Sequence, residues 1–157
     1  MDNNTQDISG GCLCGTVRFR SSRPPLSGAF CHCHACQKNY GGLFMASLQF
    51  DGAGFEFVKG VPKYFRSSVA GRRAFCEECG SPILFKYEAN MDVWVLLGAL
   101  DEPGRWPMTS DATWGKTVHF HVNNKNPWEV ISPGLRQLTT ETPFRDEGEQ
   151  LAASGAR

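Results

Sequence analysis

Seven cysteines in three tight groups constrain this 157-residue chain more than any other feature: CLCG at 12–15, CHCHAC at 31–36 and CEECG at 76–80. The count is odd, and neighbours in a CxC pair rarely satisfy disulfide geometry with each other, so a disulfide framework fits poorly. Metal binding accounts for the grouping. Residues two apart on an extended strand share a face, which lets Cys12 with Cys14, and Cys31 with Cys33, hold one ion together. CEECG has the form of a zinc knuckle, two thiolates across a tight turn closed by Gly80. Gly15 closes CLCG in the same way, and glycine takes the positive φ that such turns need at no steric cost.

No glycine follows any cysteine of CHCHAC, and that difference divides the seven. Cys12, Cys14, Cys76 and Cys79 form a closed four-thiolate set. It would tie off a loop of 61 residues between Cys14 and Cys76 and so restrict the unfolded chain strongly. Cys31, Cys33 and Cys36 remain as a local trio with two readings. Three protein ligands leave a fourth position open, the pattern of catalytic zinc. With His32 or His34 as a fourth ligand, the trio is instead a second inert structural site. His32 lies between two same-face cysteines and should point away from them, whereas His34 has the reach if the turn permits it.

Around the cysteines the chain reads as short strands broken by Gly and Pro: 16–20, 43–50, 54–58, 63–67, 83–87, 93–100 and 117–122. SSRPPLSG (21–28) reads as a loop, because two prolines forbid a central strand. VAG (69–71) is turn material. One helical turn is expected at HACQKNY (34–40), capped by Gly41. The fold class is therefore all-β, a twisted sheet pair with zinc knuckles at one end and little helix. Residues 1–9 are expected to be disordered, 10–140 to form a single domain, and 141–157 to be a flexible tail. Phe44, Phe50, Phe55, Phe57, Phe65 and Phe85 belong to the core by pattern. Trp94, Trp106, Trp114 and Trp128 read as core or lid packing.

Sixteen basic and sixteen acidic residues give no formal charge, which argues against a nucleic-acid partner. The start carries no signal peptide, and VWVLLGAL (93–100) is too short to span a bilayer, so a cytoplasmic protein with no membrane partner is expected. Oligomeric state is not legible.

GCLCGTVRF, FCHCHACQKNYGG, RAFCEECGSPILF, LLGALDEP and HFHVNNKNPW, in this order and spacing, resemble the glutathione-dependent formaldehyde-activating enzymes, a group that includes the centromere protein V-like proteins. The resemblance covers about residues 9–138. It implies a zinc-containing β-tent with two zinc ions per chain. Cys12, Cys14, Cys76 and Cys79 would hold the structural zinc, and Cys31, Cys33 and Cys36 the catalytic one. It further implies a carbon–sulfur lyase, an S-(hydroxymethyl)glutathione synthase that adds a zinc-bound thiolate to formaldehyde or a small aldehyde. The pattern departs from the family's usual Arg-Lys/Arg-x-Thr/Ser-Gly at Gln37, Lys38, Asn39, Tyr40 and Gly41.

A three-thiolate zinc is a weak Lewis acid and suits a sulfur ligand, so the implied chemistry agrees with the donor set. Glutathione carries two carboxylates, which makes nearby cations candidates for substrate contact: Lys38 and Lys125 first, then Arg66, Arg72 and Arg73. His119 matches a histidine of the family pattern; a buried ring satisfied by backbone is the plainer expectation for it. His121 alternates with it on the same strand face. The competing functions are a non-catalytic zinc module that binds a protein partner or carries a thiol adduct, and a redox enzyme. The latter needs a free cysteine, and all seven are assigned to metal.

Overall fold

The computed structural model describes residues 7–131 and 134–139. These residues form eleven strands and one α-helix: β1 (Ile8–Gly11), β2 (Arg18–Ser21), β3 (Ser27–Cys31), α1 (His34–Tyr40), β4 (Met45–Phe50), β5 (Phe55–Lys59), β6 (Lys63–Arg66), β7 (Gly71–Phe75), β8 (Pro82–Tyr87), β9 (Val93–Leu96), β10 (Lys116–Phe120) and β11 (Arg136–Gln137). They form a three-stranded sheet in the order β1-β2-β5 and an eight-stranded sheet in the order β11-β10-β3-β4-β9-β8-β7-β6. The expected all-β architecture with little helix is what forms. Among the described residues α1 is the single α-helix, and Gly41 caps it in the left-handed conformation at φ 67°.

Alternating apolar residues put one face of each sheet against the other. Phe19 of β2, Phe50 and Leu48 of β4, Ile83 and Leu84 of β8 and Val95 of β9 are all fully buried. Phe55 bridges the sheets, its ring 5.1 Å from Phe19 and 6.4 Å from Phe50. Each such side chain contributes about 1.5–3 kcal/mol of burial. Gly10 is required where β1 crosses the 3₁₀ turn Leu97–Ala99, since a Cβ there would lie 2.2 Å from the Ala99 carbonyl oxygen.

Several expectations need correction. Ile8 and Ser9 are not part of a disordered start but pair with Ser21 and Arg20. The expected loop 21–28 ends early, because Ser27 and Gly28 open β3 and pair with β4 on one side and β10 on the other. The stretch 93–100 is a strand only to Leu96 and then turns. Gly71, read as turn material, begins β7, a strand not expected at all. Phe65 is not core but 57% exposed on the edge strand β6, and Trp128 is 70% exposed. Residues 1–6 and the tail 141–157 lie outside the described residues.

Candidate metal centre and its surroundings

The two glycine-ended turns meet as a pair. The Gly15 N–H donates to the Cys12 carbonyl at 3.1 Å, and the Gly80 N–H to the Cys76 carbonyl at 2.9 Å. Both glycines have the positive φ expected of them, 75° and 72°. The Leu13 N–H donates to Ser81 Oγ at 3.1 Å and locks one turn against the other. The four sulfurs of Cys12, Cys14, Cys76 and Cys79 then lie within 4.8 Å of one another. Cys12 Sγ is 3.5 Å from Cys14 Sγ, which is 3.7 Å from Cys76 Sγ. A tetrahedron with metal–sulfur bonds of about 2.3 Å has edges of about 3.8 Å, so the set fits a zinc-sized ion. Hydrogen bonds from the Ser81 side chain and backbone hold Cys79 down at about 6, a thiolate at neutral pH. Burial pushes Cys76 up to about 11.

The second set is built at a strand-to-helix junction. Cys31 ends β3, Cys33 is the N-cap of α1, and Cys36 is the third helical residue. The Cys36 N–H donates to Cys33 Sγ at 3.4 Å, so the usual capping geometry brings the second and third sulfurs together. All three sulfurs lie within 4.8 Å of one another. Hydrogen bonds from Cys31 and Cys36 hold Cys33 down to about 2. The same sharing, with burial, keeps Cys31 well above its ordinary range. Contact with Cys31 pulls Cys36 down, but Cys33, burial and the neighbouring negative charge outweigh it and push Cys36 up to about 12. One thiolate among two protonated thiols is a set that a cation would complete by displacing protons.

Neither candidate histidine joins the trio. His34 stands on the exposed side of α1. His32 is fully buried and turns away, its Nε2 2.9 Å from His119 Nδ1 and its Nδ1 3.5 Å from Glu129 Oε1. The parallel pairing of β3 with β10, Phe30 opposite His119, makes this contact. His119 is thus buried as expected but satisfied by a second histidine rather than by backbone. His121 does not alternate with it, because β10 ends at Phe120 and His121 takes φ 54°.

Burial, reinforced by charge on His32, lowers His119 to about 4 from an ordinary 6.5. The folded protein therefore favours the neutral ring, and its contribution to stability is complete above pH 6.5 and lost as the pH falls toward 4. Denaturant midpoints should drop across that window, and the drop should shrink in His119→Gln while the acid release of metal is unchanged. An identical pH profile in the variant would contradict this.

The candidate cations are placed unequally. Lys38 lies on the exposed side of α1. Lys125 Nζ donates to the Glu129 carbonyl at 2.8 Å and so closes its own loop. Arg66 contacts the Val69 carbonyl, and Arg72 faces Glu88 at 3.6 Å and the Tyr64 ring. Arg73 alone of these reaches the trio, with Nη2 3.6 Å from Cys36 Sγ. Gln37, where the family pattern has a cation, donates from Nε2 to the carbonyls of His32 at 2.6 Å and Asn124 at 2.9 Å. It fastens the 122–124 turn to the cysteine loop. Met45 was not expected here; its Sδ lies 3.9 Å from Cys36 Sγ, a soft apolar wall supplied by the first residue of β4. A cleft of about 440 Å³, lined among others by Cys12, Arg18, Ser81, Gly98 and Asp101, has Tyr40 of α1 on its wall. That volume lies in the range of small-molecule sites.

An uncharacterized lyase of Schizosaccharomyces pombe is 32% identical over 83 residues, a match that takes in 52% of this chain and 58% of the lyase. The chain thus covers little more than half the length of that curated relative. The crystal structure of a Rhodobacter sphaeroides protein aligns with a TM-score of 0.48 and 19% identity, over 59% of this chain and 87% of the other. The family model described as glutathione-dependent formaldehyde-activating enzyme matches residues 7–120, from the start of β1 to the end of β10 and across both cysteine sets. On that match the chain belongs to the glutathione-dependent formaldehyde-activating enzyme family.

Proposed function

We propose that the chain is a zinc-dependent carbon–sulfur lyase that, in the synthetic direction, joins a thiol such as glutathione to formaldehyde or another small aldehyde. Zinc held by Cys12, Cys14, Cys76 and Cys79 is structural, and zinc held by Cys31, Cys33 and Cys36 is catalytic. One observation carries this reading. Three sulfurs converge at the second set, and among the described residues no fourth Cys, His, Asp or Glu joins them. A closed structural site would have that fourth ligand.

A thiolate-rich zinc there would supply a soft position for an incoming thiol and favour its ionised form. The reaction forms one C–S bond, converts the carbonyl double bond to a C–O single bond, and moves the thiol proton to the new hydroxyl. The chain's own residues hold and orient. Gln37 fixes the loop behind the trio, and Met45 walls Cys36 on one side. Lys38 and Lys125 are proposed to meet substrate carboxylates, Lys125 after release from the carbonyl it now holds. Because the uncatalysed addition is already appreciable, orientation supplies most of the required acceleration.

Exchange between glutathione, formaldehyde and their adduct, followed by NMR, tests the proposal. The zinc-loaded protein should accelerate exchange catalytically. Binding of one adduct per chain with no acceleration would instead identify a carrier, and no response to any thiol a non-catalytic module.

A further inference from the structure

Arg73 is 6% exposed at the middle of β7, and among the described residues no carboxylate pairs with it. Its guanidinium lies 5.0 Å from the centre of the Phe85 ring and 5.2 Å from that of Tyr40. Nη1 donates to the Tyr40 hydroxyl at 2.9 Å, while Nη2 faces Cys36 Sγ at 3.6 Å. A buried cation requires a counter-charge, and among the described residues the group in reach that can carry one is the cysteine trio.

We infer that Arg73, clamped between Tyr40 and Phe85, is the positioning residue that sets the charge of the three-cysteine set and thereby its preference for an anionic sulfur ligand. The inference rests on the proposed zinc site. A divalent ion with three thiolates carries one net negative charge, and the guanidinium returns the ensemble to neutrality. An incoming thiolate then meets a neutral site rather than a negative one. The contact also draws electron density from Cys36 and pins its side chain toward the other two sulfurs. Tyr40 aims the guanidinium and connects it to the cleft wall.

Cobalt(II)-loaded full-length protein tests this by absorption titration with two probes, 2-mercaptoethanol as an anionic ligand once ionised and imidazole as a neutral one. Arg73→Met is expected to keep both metals but to bind the thiol about 10- to 100-fold more weakly, with imidazole affinity changed less than about threefold. Arg73→Lys, which retains the charge, should recover most of the thiol affinity. If Arg73→Met does not fold, Arg73→Gln carries the same expectation, since it keeps a donor for Tyr40 and Cys36 without a charge. Equal losses for thiol and imidazole would reduce Arg73 to a packing role, and unchanged thiol affinity would overturn the inference. Wild-type protein that takes up one cobalt per chain, or two with no response to thiol, defeats the zinc-site reading itself.

Discussion

Cys76→Ser is expected to unfold the domain, not merely to weaken it. Cys76 is fully buried and shares the closed set with Cys12, Cys14 and Cys79, which staple β1 to the turn between β7 and β8. Structural zinc contributes about 10–16 kcal/mol of apparent binding energy in small domains, as much as or more than the roughly 5–15 kcal/mol by which a domain is stable. Loss of Cys76 removes a buried ligand and leaves Cys12, Cys14 and Cys79 around a site that no longer closes. Circular dichroism and metal content should show an unfolded chain, and chelation of the wild type should give the same result. A folded Cys76→Ser protein that retains two metals would contradict the assignment.

Cys33→Ser is expected to do the opposite: to preserve the fold and abolish activity. Serine is a good N-cap, so the contact now made by Cys33 Sγ with the Cys36 N–H has a replacement, and stability should change by no more than about 1 kcal/mol. The second metal loses a ligand whose partners, Cys31 and Cys36, cannot hold it alone. Catalysed exchange of the thiol adduct should fall more than about 100-fold, since even outer partners of metal ligands commonly account for 10- to 100-fold. One metal per chain, a near-native unfolding midpoint and no catalysed exchange is the expected combination. Full activity with one metal would place the chemistry elsewhere.

What was legible in the sequence was local. The two glycine-ended turns announce themselves within five residues, and the helix 34–40 is bounded by its own cap at Gly41. The partition of seven cysteines into four and three follows from those glycines, and the structure brings the same two sets together. What was not legible depends on distant pairing. β3 lies just past two prolines and is held by β10 from 116–120, a parallel partner that no local pattern reveals. The contact between His32 and His119 exists only in that register. β7 hides behind Arg72 and Arg73, because a strand with two adjacent arginines reads as solvent-facing. Arg73 is buried all the same, its Nη2 3.6 Å from the sulfur of a cysteine on α1, far away in the chain. Phe65 failed for the complementary reason: aromatic content suggested core, but β6 is the outermost strand of its sheet and has no layer over it.

The proposed function needs one cysteine set closed and the other open, and zinc K-edge X-ray absorption on the two-zinc protein, with and without glutathione, distinguishes the two. The expected result is an average of about 3.5 sulfurs per zinc at about 2.3 Å, rising toward 4 when the thiol is added. An average that does not rise with any thiol, or a histidine nitrogen completing the second zinc in the resting protein, would show that both sites are closed.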